Sequence, residues 1–234
     1  MTTKVIVTDL TRFAHMEEVC IAGLSFDGQR CIRPRPYLAR SRCVELNILP
    51  GTILEGRFEC RHSAPPHIED HSYSNLRICG PCSSECFRGV LDGSRVPTVA
   101  EGFAITLPKG QKHIPIDRPP NRSIITIPVD PRGIQIVSSR YNGKPKAHLT
   151  DESGREFSFL SITDLGFHEY ATQCADSRVA LRRLNDFIHE QEEIYVRVGL
   201  SHEHETDDGR RGFWLQVNGI YTFPEFFEQI RCYR

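Results

Sequence analysis

Net charge, lysine, long apolar runs and glycine-rich loops are all scarce in this chain, and each shortage removes a class of function. The net charge over 234 residues is −1, so no global field draws the protein to polyanions. Lysine is nearly missing, with five residues against 24 arginines. No apolar run reaches the roughly 20 residues that a membrane-spanning helix needs. The opening, Met1-Thr2-Thr3-Lys4-Val5-Ile6-Val7-Thr8-Asp9, has neither the apolar stretch nor the small-residue cleavage site of an export signal. The cytoplasm is therefore the expected location, with no membrane partner. No Gly-rich phosphate loop follows a strand-like segment, which argues against nucleotide-cradling βαβ folds. No Ser or Cys nucleophile stands beside an evident base.

What is present points to sheet. Hydrophobic residues make up 39% of the chain, enough for a globular core. Lys4–Thr8 and Val19–Leu24 are short β-branched runs. Asp27-Gly28 then signals a hairpin, with Cys31-Ile32-Arg33 as its return, stopped by Pro34 and Pro36. Thr52–Cys60 alternates with the period of two of a half-buried strand. From 63 to 112 the periodicity weakens, and an irregular insert is expected. Pro115–Pro120 reads as a linker. Strands resume at Ile124–Val129, Ile134–Ser139, Lys146–Thr150 and Glu156–Ile162. A helix over about 177–190, capped by Asp176 or Ser177, presents Leu181, Leu184, Phe187 and Ile188. Ile194–Leu200 and Phe213–Tyr221 are again strands, and Pro224 opens a short closing helix. The expected architecture is mainly β with one or two helices: two OB-like β-barrels in tandem, over 1–114 and 121–234.

Particular segments carry the resemblance to a known family. Val5-Ile6-Val7-Thr8-Asp9-Leu10-Thr11-Arg12, Val19-Cys20-Ile21-Ala22-Gly23 and Cys31-Ile32-Arg33-Pro34 lie near the start. Leu49-Pro50-Gly51, Pro66-His67-Ile68-Glu69-Asp70 and Thr163-Asp164-Leu165-Gly166 follow. Val198-Gly199-Leu200 and Trp214-Leu215-Gln216-Val217-Asn218-Gly219-Ile220-Tyr221-Thr222-Phe223-Pro224 close the series. Together they resemble the dual OB-containing domain family over essentially the whole chain. The resemblance implies two OB folds in a stand-alone bacterial protein, near anti-phage or DNA-processing systems. It implies no reaction and no particular ligand.

Five constellations could carry chemistry. Arg30–Arg42 holds Arg33, Arg35, Arg40 and Tyr37 without an acid. It can grip phosphates and stack a base, or serve as a solvated, Pro-stiffened loop. Arg12 can hold a phosphate or close a turn with Asp9. In a strand, Trp214, Gln216 and Asn218 share one face, a π-surface with two amides for a base edge. The same Trp, the single one in the chain, also fits a core position. His67-Ile68-Glu69-Asp70-His71 reads as a polar loop or as the centre of a metal-dependent hydrolase.

Finally, nine cysteines in a chain without an export signal read as reduced thiols, and Cys20, Cys31 and Cys174 as small buried hydrophobes. The Cys79-Gly80-Pro81-Cys82-Ser83-Ser84-Glu85-Cys86 knuckle could hold a structural zinc, with Cys79, Cys82, Cys86 and a fourth ligand from Cys60, His62 or His71. Free thiols, a redox pair or an iron–sulfur cluster are the other readings. The expected function is non-catalytic binding of single-stranded DNA, RNA or a nucleotide. An adaptor that docks a larger nucleic-acid enzyme and the metal-dependent hydrolase stand as rivals.

Overall fold

The computed structural model describes residues 2–13, 17–175 and 177–233. The candidate cap Asp176 lies outside the described residues. Two sheets dominate, each bent into a barrel.

The first barrel is built from β1 (Thr3–Arg12), β2 (Glu18–Leu24), β3 (Cys31–Arg35), the short β4 (Leu38–Ala39), α1 (Arg40–Glu45), β5 (Thr52–Cys60) and β6 (Asp70–Pro81). β1 pairs antiparallel with both β2 and β5, β5 pairs with β6, β6 runs parallel to β3, and β3 returns to β2. The ring closes on itself, with a helix between its third and fourth long strands. That is an OB-like barrel. Most of β1 is buried on both faces instead of alternating. Val5, Val7 and Leu10 fill the barrel interior, while Ile6 packs outward against Tyr195 and Tyr221. A bulge between Val7 and Asp9 shifts the register, and bulges of this kind re-aim side chains. Here it delivers Asp9 to the second barrel.

Residues 63–112 are more regular than their sequence pattern suggests. They contain the twelve-residue β6, α2 (Ser84–Gly93) and α3 (Val99–Phe103). β6 escapes a periodicity search because few of its residues are buried, and two bulges break its register with β5. The strand is held by pairing on both sides, not by an apolar face. α2 starts where the Ser83 hydroxyl accepts a hydrogen bond from the Cys86 amide.

β7 (His113–Pro115) joins the second sheet. β8 (Ile124–Val129) and β9 (Ile134–Ser138) follow one another across a 3-10 turn at Pro131–Gly133 and stand at the two ends of the sheet. β10 (Pro145–Thr150), β11 (Glu156–Ile162), α4 (Leu165–Ala175), α5 (Arg178–His189), β12 (Glu193–Leu200), β13 (His204–Glu205) and β14 (Arg211–Phe223) complete the chain. β9 pairs with β10, β10 with β11, β11 in parallel with β14, β14 with β12, and β12 with β8. The connectivity repeats that of the first barrel, again with helices between the third and fourth strands. α5 begins at Ser177, whose hydroxyl accepts the Ala180 amide. α4 is a helix that the sequence pattern does not reveal. It starts where the Asp164 carboxylate accepts the Phe167 amide, and it buries Leu165, Phe167, Ala171 and Cys174 without a sharp polar face. In place of the expected closing helix there is a 3-10 turn at Glu228–Ile230. Among the described residues no helix is long and apolar enough to cross a membrane.

The barrels meet through a dry cluster of Ile6, Leu24, Leu91, Tyr195, Tyr221 and Phe223, and through polar groups. Arg197 on β12 binds Asp9 through Nε at 2.9 Å and Nη2 at 2.7 Å. The Tyr221 hydroxyl donates to the Thr8 carbonyl at 2.5 Å. Glu69 accepts from the Ser123 amide and hydroxyl at 2.7 and 2.8 Å. An apolar cavity of about 400 Å³ lies at the joint, lined by Leu49, Phe87, Phe187, Phe223, Phe226 and Phe227 among others. A second cavity there is polar.

Candidate functional site

The polar cavity, of about 370 Å³, draws its walls from both barrels. Arg12 reaches it from the end of β1, where its amide donates to the Thr163 carbonyl at 2.9 Å and fixes the strand against the second barrel. Arg12 is thus a strand terminus and not part of a turn, and Asp9 is committed to Arg197 instead. Arg33 enters from β3. It is 4% exposed, with Nε on Asp70 at 2.5 Å and Nη1 on the Ser123 hydroxyl at 3.3 Å. Its Nη2 is buried without a hydrogen-bond partner. A buried, unclaimed donor on a charged group is costly, and this one belongs to a side chain lining the cavity.

The second barrel supplies a cross-strand row. Lys146 lies opposite Ser161, and Ser161 opposite Gln216. Lys146 Nζ donates to the Ser161 hydroxyl at 2.9 Å. Two residues further along β14, at a bulge against β12, is Asn218, whose Oδ1 accepts from the Thr163 hydroxyl at 2.9 Å. The neighbouring Gly199 has no room for a side chain, because a Cβ there would fall 2.2 Å from Asn218 Nδ2. Lys144 completes this wall.

One side of the cavity is aromatic. The rings of Phe13 and Tyr37 lie 4.9 Å apart, and Phe13 stacks on His202 at 6.5 Å. Tyr37 and His202 share a hydrogen bond of 3.2 Å. Arg35 sits 3.9 Å over the Tyr37 ring and supports it from behind. Burial pushes the Tyr37 hydroxyl up to about 12, so it stays protonated.

The electrostatics are one-sided. No ion pair among the described residues engages Arg12, Lys144 or Lys146. Burial, then the charges of Arg12, Lys144 and Lys146, hold His168 down at about 4. Burial, then Arg33 and His202, hold His67 at about 3. His202 is lowered by burial and by Arg33 and Arg35. Burial and the neighbouring Lys112 and Lys144 lower Lys146. The cavity therefore holds several cations and neutral imidazoles. Its two nearest carboxylates are each paired with an arginine, Asp70 with Arg33 and Asp9 with Arg197 through Oδ2, although Asp9 Oδ1 has no hydrogen-bond partner. Such a chamber favours an anion.

Of the residues singled out in the sequence, Arg12, Arg33, Tyr37, Gln216 and Asn218 line this cavity. Arg35 buttresses it. Arg40 leaves it, pairing with Glu169 at 2.7 Å, so the Arg30–Arg42 patch is dispersed and not a continuous surface. Trp214 lies one step outside, half-exposed. Sequence reasoning missed Phe13, Lys144, Lys146, His168 and His202. A usable signal existed for the lysines: with only five in the chain, the pair in Asn142-Gly143-Lys144-Pro145-Lys146 is conspicuous.

The metal set does not assemble. Cys79 and His71 lie on the one strand β6, eight residues and so roughly 26 Å apart at strand rise. Cys79 is exposed and donates to Glu55, and Cys82 lies beside Cys86. Among the described residues no group of three or more His, Cys, Asp or Glu could hold a metal ion. The His67–His71 segment is likewise divided. Glu69 anchors Ser123, Asp70 pairs with Arg33, His71 Nδ1 is bonded to the Glu69 carbonyl, and only His67 reaches the cavity.

No protein-family model matches the chain, and no curated protein does. Among solved structures, the chain is similar to a murine DNA-binding protein bound with double-stranded DNA. Identity is 8% over 95% of this chain and 97% of that one, with a TM-score of 0.33. It is also similar to a replication protein A heterotrimer bound to single-stranded DNA. Identity there is 11% over 98% of this chain and 50% of that one, with a TM-score of 0.39.

Proposed function

We propose that this protein is a non-catalytic binder of nucleotides or single-stranded nucleic acid, with the cavity between the barrels as its phosphate site. The observation that carries the reading is a cavity between the barrels whose cations Arg12, Lys144 and Lys146 have no acidic partner among the described residues. A phosphate offers the oxygens these cations lack, and the Arg12 guanidinium matches them in geometry. The Phe13–Tyr37–His202 wall is suited to one base, and Gln216 with Asn218 to its edge. The buried carboxylates of the His67–His71 segment are bonded within the joint, which favours binding over hydrolysis. The resemblance to the dual OB-containing domain family would place such a protein in bacterial DNA processing or defence.

Fluorescence anisotropy with short single-stranded DNA and RNA at low and moderate salt tests this. Wild type should bind at micromolar concentration or tighter and weaken with salt. The Arg12→Ala/Lys144→Ala/Lys146→Ala variant should lose about two units of salt slope, the amount expected for three phosphate contacts on a single strand. Salt-insensitive binding, or none, overturns the reading and favours the adaptor role.

A further inference from the structure

We infer that the ligand is an oligonucleotide strand and not a free nucleotide, because a second base site continues from the cavity along the outer face of β14. This deepens the reading above and rests on it. Alternation along β14 places Gln216 and Trp214 on one face, and Asn218 follows at a bulge against β12. Gln216 and Asn218 line the cavity and Trp214 stands beyond it. Strand rise puts Trp214 about 7 Å from Gln216 along the strand. Trp214 does not line the cavity that the Phe13–Tyr37–His202 wall bounds, so a base stacked on it lies outside that cavity and belongs to a different nucleotide.

The surroundings of Trp214 suit a stacked base. Its ring is half-exposed and stacks on His113, with centroids 5.4 Å apart and planes at 23°. The exposed His204 leans edge-on against it at 5.5 Å, where an incoming base would take its place. The backbone links this spot to the cavity wall. Ser201, a cavity residue, accepts the Trp214 amide at 2.9 Å and donates its own amide to the Trp214 carbonyl at 2.9 Å.

Cations follow the same line. Lys146 stands in the row with Gln216. Lys112, which immediately precedes the stacked His113, places Nζ against the Ser158 and Phe159 carbonyls at 3.2 and 3.4 Å. No ion pair among the described residues engages it, whereas Arg210 and Arg211 nearby are paired with Asp208 and Glu203. Burial and the charges of Lys112 and Lys144 lower the pKa of Lys146, and burial and Arg210 lower that of Lys112, a tension that a phosphate beside them would relieve. With Lys144 and Lys146 in the cavity, three of the five lysines in the chain lie on this one line.

Trp214 is the sole tryptophan, so its emission reports this subsite alone. The test titrates the full chain with thymidine 5′-monophosphate and with oligothymidylates and oligouridylates of two, three and six nucleotides. Calorimetry reads affinity and tryptophan fluorescence reads the subsite. The monophosphate should bind without quenching. Strands of three or more nucleotides should quench and bind roughly ten-fold tighter or better, as one stacked base implies. Trp214→Ala and, independently, Lys112→Ala should remove that gain while leaving monophosphate affinity unchanged. Equal affinity at every length with no quenching overturns the track but leaves the phosphate cavity standing. Binding of neither class overturns both.

Discussion

Two buried arginines stand at the joint between the barrels, each with an aspartate, and they end differently. Arg197, 1% exposed, is closed: Nε and Nη2 are on Asp9, and Nη1 donates to the Thr126 hydroxyl at 2.8 Å. Arg33, 4% exposed, lines a cavity and keeps one buried donor, Nη2, without a partner. Both require that two barrels be docked, since Asp9 comes from β1 of one and Arg197 from β12 of the other, and Ser123 opposite Arg33 precedes β8. The lesson is that burial and an ion pair do not separate a structural arginine from a ligand-binding one. The two differ in their donors: each nitrogen of the Arg197 guanidinium has a partner, whereas Arg33 Nη2 has none.

The strongest way to break this contrast is to remove each guanidinium in turn. Arg197→Ala leaves Asp9 buried and bare, which for such pairs costs about 3–5 kcal/mol. Denaturant unfolding should show that loss. Arg33→Met combined with Asp70→Asn removes both charges of the second pair, so the stability cost should be smaller, while strand binding should fall by more than ten-fold. Equal stability losses in the two variants, with binding retained in the second, would erase the distinction.

A smaller effect sharpens it through pH. His67 at about 3 and His168 at about 4 lie well below the usual histidine value of about 6.5. In the fold they decline a proton that the unfolded chain accepts, so stability should fall as pH drops from about 6.5 to about 4. A bound phosphodiester adds negative charge beside them and favours their protonated forms. Affinity should therefore rise over the same window, by up to ~10-fold per pH unit for each proton taken up. Stability and affinity moving in opposite directions is the signature of an anion chamber. Parallel movement would mean that the imidazoles do not face the ligand.

How much of this was legible in the sequence depends on which forces set each element. Strands with a dry face announced themselves: Thr52–Cys60, Ile124–Val129 and Glu156–Ile162 have the same bounds in the structure. β6 did not, because it is held by pairing on both flanks and is exposed along much of its length. α4 did not, because its contacts spread around the helix. Within the site, Arg12, Arg33, Gln216 and Asn218 could be named from residue type. His168 and His202 could not, since what brings them to Arg12, Tyr37 and Arg33 is the docking of two barrels, which no local pattern encodes.

Arg40 supplies the smallest expected effect and separates the linear patch from the assembled site. By sequence it belongs with Arg33 and Arg35 in one acid-free run. In the fold it opens α1 and turns to Glu169 on α4, a half-exposed pair with 41% and 26% of the two side chains accessible. Pairs of this kind contribute about 0–1 kcal/mol. Arg40→Ala should therefore leave both the unfolding midpoint and the salt slope of strand binding nearly unchanged. A salt slope that flattens by about one unit would instead mean that a phosphate reaches Arg40. The ligand would then track the first barrel's surface as the linear patch suggests, and the cavity would be only one stop on a longer path.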